Sequence, residues 1–177
     1  MEQSTWNLDP AHSEIMFKVK HMMITNVKGS FDNFSITVNN SGDDFVGAQV
    51  DLSIETASIN TRNEQRDTHL KSADFFDVEQ YPAIKFHASK LEKVAGSDYS
   101  LTGDLTIRDV TKPVTLSVEF GGIQKDPWGN LKAGFTVEGK IKRTDYGLSW
   151  NAALETGGVM VSDEVKLSAE IQFAKTV

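Results

Sequence analysis

The 177-residue sequence contains no cysteine, and this absence excludes several kinds of chemistry. Without a thiol there is no disulfide, no thiolate nucleophile and no cysteine-ligated metal site. The four histidines follow no ligand spacing such as His-Glu-x-x-His. We therefore predict no metal and no cofactor. The histidines are His12, His21, His69 and His87.

The sequence also lacks any apolar run that approaches the ~20 residues of a membrane-spanning helix. Its formal net charge is −7, and no cluster of lysine or arginine along the chain supplies a basic patch. We predict no stable membrane insertion, and neither nucleic acid nor an anionic membrane surface as a partner. The N-terminus lacks the basic and apolar regions of a secretory signal, which predicts a cytoplasmic protein, or a periplasmic one if a signal peptide has been removed.

Motifs of catalysis are missing as well. The sequence has no Gly-x-Ser-x-Gly nucleophile elbow and no glycine-rich phosphate loop. Neighbouring carboxylates such as Asp43 and Asp44 occur in turn-like segments, where solvation is the default. These absences favour a protein that is not an enzyme.

What the sequence does contain is a pattern of strands. Apolar and polar residues alternate strictly over Ser13–His21, with Ile15, Phe17 and Val19 on one face, and similar alternation recurs in about eight segments. A change of phase at Asp32-Asn33 predicts a bulge or sharp bend. Short polar turns join most segments, as between antiparallel neighbours. With no internal repeat or linker, we predict a single domain over residues 1–177.

One stretch is typical of a helix instead. Asn63 to Lys71 contains no proline or glycine and few β-branched residues. We predict a short helix around residues 61–72, inside the one long connection between strands. It is followed by Phe75 and Phe76, and we expect the helix and this aromatic pair to close the mouth of a β-barrel.

Eight antiparallel strands can close into a barrel or stack as a sandwich. Small residues at inward positions favour a barrel with an unfilled interior, since an eight-stranded barrel is just wide enough to hold one small ligand. The alternative is that these residues relieve crowding where strands bend. They are Gly29, Ala48, Ala88, Gly103, Ala133, Gly139 and Ala169.

Several motifs are informative through their order and spacing. The main ones are Trp6-Asn7-Leu8-Asp9-Pro10-Ala11-His12-Ser13, Val19-Lys20-His21-Met22, Val27-Lys28-Gly29-Ser30-Phe31, Arg66-Asp67-Thr68-His69-Leu70, Ser72-Ala73-Asp74-Phe75-Phe76-Asp77, Tyr81-Pro82, Leu101-Thr102-Gly103-Asp104-Leu105-Thr106-Ile107 and Thr111-Lys112-Pro113-Val114. Together they resemble the YceI-like family of polyisoprenoid-binding proteins, and the resemblance extends over nearly the whole chain.

The resemblance implies an all-β fold, an eight-stranded antiparallel lipocalin-like β-barrel whose long apolar cavity holds an isoprenoid chain. We predict the cavity wall to include Phe17, Val19, Phe31, Leu70, Phe75, Phe76, Phe86, Leu101 and Phe135. For a polar or phosphorylated head group we predict Arg62, Arg66, His69 and Arg143, because arginine offers phosphate a bidentate fork. The alternatives are a filled core for the rings and structural bonds to loop backbone for the arginines. Asp9 and His12 are expected to tie the N-terminal segment to the barrel.

The leading hypothesis is non-catalytic binding, storage or transport of a polyisoprenoid or similar amphipathic lipid, such as a prenyl diphosphate or a prenylated quinone. A second hypothesis is an enzyme that acts on such a lipid with His69 and Asp67 as an acid–base pair. A third is a filled, ligand-free barrel that serves as a protein-interaction module, for example as a homodimer.

Overall fold

The computed structural model describes residues 4–40, 45–151 and 160–175. Within these ranges the chain forms strands together with a short helix, α1 (Glu64–Lys71), and short 3₁₀ helices at Pro10–His12, Thr56–Ser58 and Arg143–Tyr146. The strands are β1 (Ser4–Leu8), β2 (Glu14–His21), β3 (Thr25–Phe31), β4 (Phe34–Asn40), β5 (Gln49–Glu55), β6 (Ile59–Asn60), β7 (Ala83–Ala95), β8 (Asp98–Ile107), β9 (Val110–Lys125), β10 (Leu131–Lys142) and β11 (Val161–Lys175).

The strands form a closed antiparallel barrel. Three pairs of segments each act as one broken strand. β1 and β2 both pair with β11. On their other side, β4 pairs with β1 and β3 pairs with β2, and next to these β5 pairs with β4 and β6 pairs with β3. The remaining strands follow as a meander from β7 to β11, and the β1–β11 pairing closes the ring. The predicted eight-stranded barrel is therefore confirmed, and the sandwich is excluded.

The break between β3 and β4 coincides with the predicted change of phase. Asp32 and Asn33 separate β3 from β4. The backbone N–H of Asp32 donates to the carbonyl of Ser58, and the carbonyl of Asn33 accepts from the N–H of Glu55. The bend in this strand is thus aligned with the 3₁₀ helix at 56–58 in its neighbour, so both strands turn at one level of the barrel.

The two ends of the barrel differ. The turn end has the β4–β5, β7–β8 and β9–β10 connections, and aromatic rings close it: Phe45 lies 5.4 Å from Trp6, 5.4 Å from Phe120 and 5.1 Å from Phe135, measured between centroids. Trp6 and Phe45 are each 1% exposed. The helix end has α1, the β2–β3 turn and the 3₁₀ helix at 143–146. Trp6 lies on β1, a strand that the polar N-terminal sequence did not predict.

The small inward residues were predicted to leave empty volume in the barrel, but neighbouring side chains occupy the space beside several of them. A Cβ on Gly29 would lie 2.3 Å from the Phe17 ring, and one on Gly139 would lie 2.3 Å from Leu116 Cδ2. Space beside these glycines is thus filled by neighbouring side chains. Of the seven small residues, only Ala169 contributes to the wall of the cavity described below. Gly29, Gly103 and Gly139 relieve crowding, as the alternative interpretation held.

Gly103 supports the sharpest stability prediction from this packing. A Cβ there would lie 2.5 Å from the carbonyl oxygen of His87 and 2.6 Å from Ala88 Cβ, and a backbone atom cannot rotate away. We expect Gly103→Ala to lower the free energy of unfolding by about 1–3 kcal/mol, as overpacked cores do. Gly134→Ala is the control, because nothing lies within 4 Å of its added Cβ. Equal urea midpoints for the two variants would contradict the prediction.

Asp9 ties the N-terminal segment to the barrel wall. Its Oδ2 atom accepts from Lys132 Nζ at 3.1 Å, from Gln172 Nε2 at 3.2 Å and lies 3.0 Å from His12 Nδ1. The carboxylate thus joins β10 and β11 to the 3₁₀ helix at 10–12. Burial by itself would raise the pKa of Asp9, but the bonds from His12 and Lys132 outweigh it and hold the pKa below 3.8.

This ionisation predicts a pH-dependent stability. Because the folded-state pKa of Asp9 lies below the unfolded value, its contribution is fully present above pH 3.8 and is lost as the pH falls through the folded value. We expect Asp9→Asn to cost about 1 kcal/mol at neutral pH. The urea unfolding curves of the variant and the natural protein should converge in acid. A difference that persists unchanged there would contradict an electrostatic role.

Four lysines form a row across the outer face of β10, β11, β2 and β3. Lys166 lies directly opposite Lys140 on one side and Lys18 on the other. Lys18 in turn lies opposite Lys28. We call these four residues the lysine row. The expectation that the chain has no basic patch is therefore wrong for this face, because strand register brings together lysines that are far apart in sequence.

Candidate functional site

The barrel encloses a cavity of about 390 Å³ between the aromatic rings of the turn end and the helix end. This volume lies within the ~300–1,000 Å³ range of small-molecule sites. Its wall is almost wholly apolar and comes from strands all around the ring. A filled barrel is thus not what the structure contains. All nine predicted cavity residues lie in the wall: Phe17, Val19, Phe31, Leu70, Phe75, Phe76, Phe86, Leu101 and Phe135. Contact of these side chains with a ligand stays a prediction.

The few polar side chains in the wall lie mainly at the helix end. They include Arg66 and His69 from α1, Arg143, and His21 at the end of β2. An apolar interior with polar groups near one end suits an amphipathic molecule whose tail lies inside and whose head stays near water. The position of α1 therefore decides where a head group would meet polar atoms.

Asn63 starts α1 as its N-cap, and its side chain accepts from the backbone N–H of Arg66 at 3.0 Å. The helix was predicted around residues 61–72 and is confirmed within them. Asp67 Oδ1 accepts from both the backbone N–H and the hydroxyl of Thr61, and the N–H bond is 2.9 Å long. Thr61 is 5% exposed. These bonds anchor the polar helix to the chain segment that enters it.

Arg66 bonds to Thr61 as part of this anchor and also lines the cavity. Its Nε atom donates to the Thr61 hydroxyl at 2.8 Å, and Nη2 donates to the Thr61 carbonyl at 2.8 Å. Both bonds fix the guanidinium at the cavity wall. They leave the Nη1 donors of Arg66 for other partners, since five N–H groups are available on arginine.

His69 contacts Asp74 and two aromatic rings. Its Nε2 lies 2.9 Å from Asp74 Oδ2, and its ring centroid lies 5.1 Å from Phe75 and 4.9 Å from Trp150 in edge-to-face geometry. Asp67 is engaged with Thr61 instead. The structure thus does not join His69 and Asp67, the predicted acid–base pair, by a hydrogen bond, because the two side chains bind different partners.

Arg62 stands apart from the other predicted head-group residues. It is exposed, has a φ angle of 61° and does not belong to the cavity wall. Its backbone N–H donates to Asn60 Oδ1 at 2.9 Å. This position gives no support to a role for Arg62 in head-group binding. Its proximity in sequence to Arg66 was misleading because Arg62 precedes the N-cap Asn63 in a left-handed conformation and does not lie on the helix that carries Arg66.

Arg143 lines the cavity but directs its donors at backbone. It is 4% exposed, and Nε donates to the carbonyl of Ser162 at 2.9 Å while Nη2 donates to that of Val161 at 3.2 Å. Nη1 donates to the carbonyls of Leu148 at 2.6 Å and Trp150 at 2.8 Å. Burial lowers the pKa of the Arg143 guanidinium, and the carboxylate of Asp163 offsets part of this effect. Arg143 thus joins the chain after β10 to the start of β11.

The described part of the chain offers neither a metal site nor a membrane-spanning helix. Within residues 4–40, 45–151 and 160–175, no group of three or more histidine, aspartate or glutamate side chains is placed to hold a metal ion. Over the same ranges, no helix has the length and apolarity that crossing a bilayer requires.

Comparison with known proteins identifies the family. The model of the YceI-like domain matches residues 6–173. The chain belongs to the YceI-like family. Among curated relatives of this YceI-like protein, a UPF0312 protein from Staphylococcus aureus (strain MSSA476) is 41% identical over 172 residues, which are 97% of this chain and 98% of the relative.

Solved structures share the barrel. The YceI protein of Campylobacter jejuni has a TM-score of 0.75 at 36% identity and covers 96% of both chains. BcnA of Burkholderia cenocepacia has a TM-score of 0.79 at 24% identity, over 93% of this chain and 98% of that one. A polyisoprenoid binding domain from Saccharophagus degradans has a TM-score of 0.67 at 15% identity, over 97% and 98%. The last two likenesses establish a common fold.

Several wall residues of the YceI-like domain were not singled out from the sequence. Trp150 follows an irregular segment that offers no periodicity, yet its ring packs on Phe75 at 5.5 Å. Ile36, Leu105 and Val118 also line the cavity. These three occupy inward positions of alternating strands, so strand alternation by itself is the signal that could have found them.

Proposed function

We propose that this YceI-like protein binds an amphipathic lipid with a polyisoprenoid tail, and stores or carries it without chemical change. The observation that supports the proposal is the cavity of about 390 Å³ with its apolar wall and its polar side chains near one end. Each CH₂ group of a tail buried there gains about 0.8 kcal/mol, so a long chain binds tightly with few polar contacts. The Saccharophagus degradans domain with this fold is itself a polyisoprenoid-binding protein.

For the head group, the proposal assigns Arg66 and His69. Both lie in the cavity wall at the helix end, and the Nη1 donors of Arg66 are available to oxygen acceptors. A prenyl diphosphate or a prenylated quinone both present such acceptors. Arg143 has a smaller part here, since its guanidinium already donates four bonds to carbonyls.

The test is native mass spectrometry of the protein purified from its own host, followed by solvent extraction and identification of what was bound. We expect one isoprenoid lipid per chain, and its mass names the head group. Protein that carries no lipid, and that also takes up no added isoprenoid, would overturn the proposal.

A further inference from the structure

We propose that the β2–β3 turn and the lysine row dock the barrel on an anionic lipid bilayer, with the helix end of the cavity facing the membrane. The inference deepens the proposed function and rests on it, because a protein that carries a lipid has to collect it from and return it to a lipid phase. The turn supplies the apolar contact and the lysines supply the charge.

The turn exposes three consecutive apolar side chains. Met22 is 41% exposed, Met23 is 56% exposed and Ile24 is 77% exposed. The N–H of Met22 donates to the carbonyl of Met160 at 2.7 Å, which fixes the base of the turn. Met160 and His21 both belong to the cavity wall. This apolar tip therefore lies directly beside the helix end of the cavity.

The backbone of the tip is unusual for the residues that occupy it. Met22 has a φ angle of 53° and Met23 one of 63°. Glycine, asparagine and aspartate adopt this left-handed region readily, whereas long apolar side chains rarely do. Turn propensity thus does not explain why methionines stand here. Strained positions of this kind cluster at functional sites, and in this turn the strain accompanies apolar side chains that face solvent.

The lysine row lies on the same hairpin and its neighbours. Like charges directly opposite each other on adjacent strands repel. Among the residues that the structure describes, none of the four lysines forms an ion pair. The flanking cross-strand positions add Lys142 opposite Glu164 and Lys20 opposite Asn26 on the helix-end side. An external surface of negative charge would relieve this repulsion.

An anionic bilayer fits both features together. Lys18 lies three positions before His21, which places the lysine row about 10 Å along the strand from the turn. A tilted barrel can then insert Ile24 at the interface while the lysines reach lipid phosphates. Nucleic acid or an acidic protein would satisfy the lysines only. The remaining surface is acidic, since the formal net charge is −7, and repulsion from the membrane therefore orients the barrel with this face down.

Flotation of the purified full chain with vesicles tests the proposal. Vesicles of phosphatidylcholine alone are compared with vesicles of phosphatidylcholine and phosphatidylglycerol in equal amounts, at low and high salt. Lys18→Gln with Lys28→Gln weakens the row, and Met23→Ser with Ile24→Ser removes the apolar tip. Lys85→Gln with Lys93→Gln is the matched control, because both lysines are exposed on β7 and the net charge changes equally. Trp128→Ser, at a side chain 83% exposed at the turn end, controls for the tip.

We expect binding to the anionic vesicles that falls with salt. A lysine near such a surface contributes about fivefold to the affinity, so the row variant should lose about tenfold to thirtyfold. The tip variant should lose binding as well, and both controls should keep it. Absent flotation, equal loss in row variant and lysine control, or binding of the chain to an RNA homopolymer instead of vesicles would overturn the proposal.

Uptake of a polyprenol from uncharged detergent micelles, measured on the same proteins, separates this inference from the proposed function. A protein that takes up polyprenol but does not float with vesicles refutes the docking proposal and leaves the proposed lipid binding intact. Flotation of a protein that takes up no polyprenol refutes the lipid cargo, and with it the reason for docking.

Discussion

Arg143→Ala is expected to lower the free energy of unfolding by about 3–4 kcal/mol, because four bonds from one charged donor group disappear together. The guanidinium is 4% exposed, and the carbonyls it binds belong to Leu148, Trp150, Val161 and Ser162. Their oxygens would lose their partner while remaining partly shielded from water. Urea unfolding followed by circular dichroism should show a midpoint lower by about 1–2 M.

Arg108→Ala is the control for this change. Arg108 Nη1 donates a single bond, at 2.8 Å, to the carbonyl of Gly147, and its guanidinium lies 5.7 Å from the centroid of the Tyr81 ring. We expect a loss of about 1 kcal/mol there. Arg143→Lys should recover only part of the lost stability, since an ammonium cannot span four carbonyls in fixed directions. Similar midpoints for Arg143→Ala and Arg108→Ala would show that the carbonyl cluster is not what Arg143 stabilises.

The bonds of Arg143 depend on tertiary structure, whereas most of the fold follows from local patterns in the chain. Alternation located most strands, the phase change located the bend at Asp32-Asn33, and the lack of helix breakers located α1, because each is a local property of the chain. The sequence around an arginine does not tell whether its guanidinium binds a phosphate group or four backbone carbonyls. That distinction depends on how the segment after β10 folds back on β11, which is a tertiary property.

Strand register is the second limit. The lysine row consists of residues from four strands that meet only because each pair has one particular register, and a shift of one residue would turn a lysine to the other face. The space inside the barrel also depends on strand register and could not be predicted from the small residues by themselves. Small inward residues such as Gly29 were interpreted as empty space, but the ring of Phe17 fills the space beside Gly29. Which neighbour occupies a gap is decided by pairing rather than by composition.

The second large effect concerns ligand uptake, and Leu116→Asp is the variant that should abolish it. Leu116 lies on β9 in the cavity wall, opposite Leu101 of β8 and packed over Gly139 of β10. A carboxylate at this depth would have to be covered by an apolar tail without a compensating partner. Such burial costs about 3 kcal/mol or more, so affinity should fall at least about 100-fold.

Uptake of a polyprenol from detergent micelles, followed by native mass spectrometry, measures the effect. The single hydroxyl of this probe makes its uptake report on the tail rather than on Arg66 or His69. Thr115→Asp is the matched control, because Thr115 precedes Leu116 and is exposed on the outer face of the same strand. The control introduces the same charge and should bind normally.

Phe76→Glu, at the helix end, is a second variant that distinguishes loss of tail binding from misfolding of the barrel. Phe76 is half-buried beside α1 and packs edge-to-face on Phe31 at 5.9 Å, so the barrel strands do not depend on it as they do on Leu116. We expect the β-sheet spectrum to be retained and uptake to be lost. Normal uptake by both Leu116→Asp and Phe76→Glu would contradict the placement of the tail in this cavity, because both residues belong to its wall.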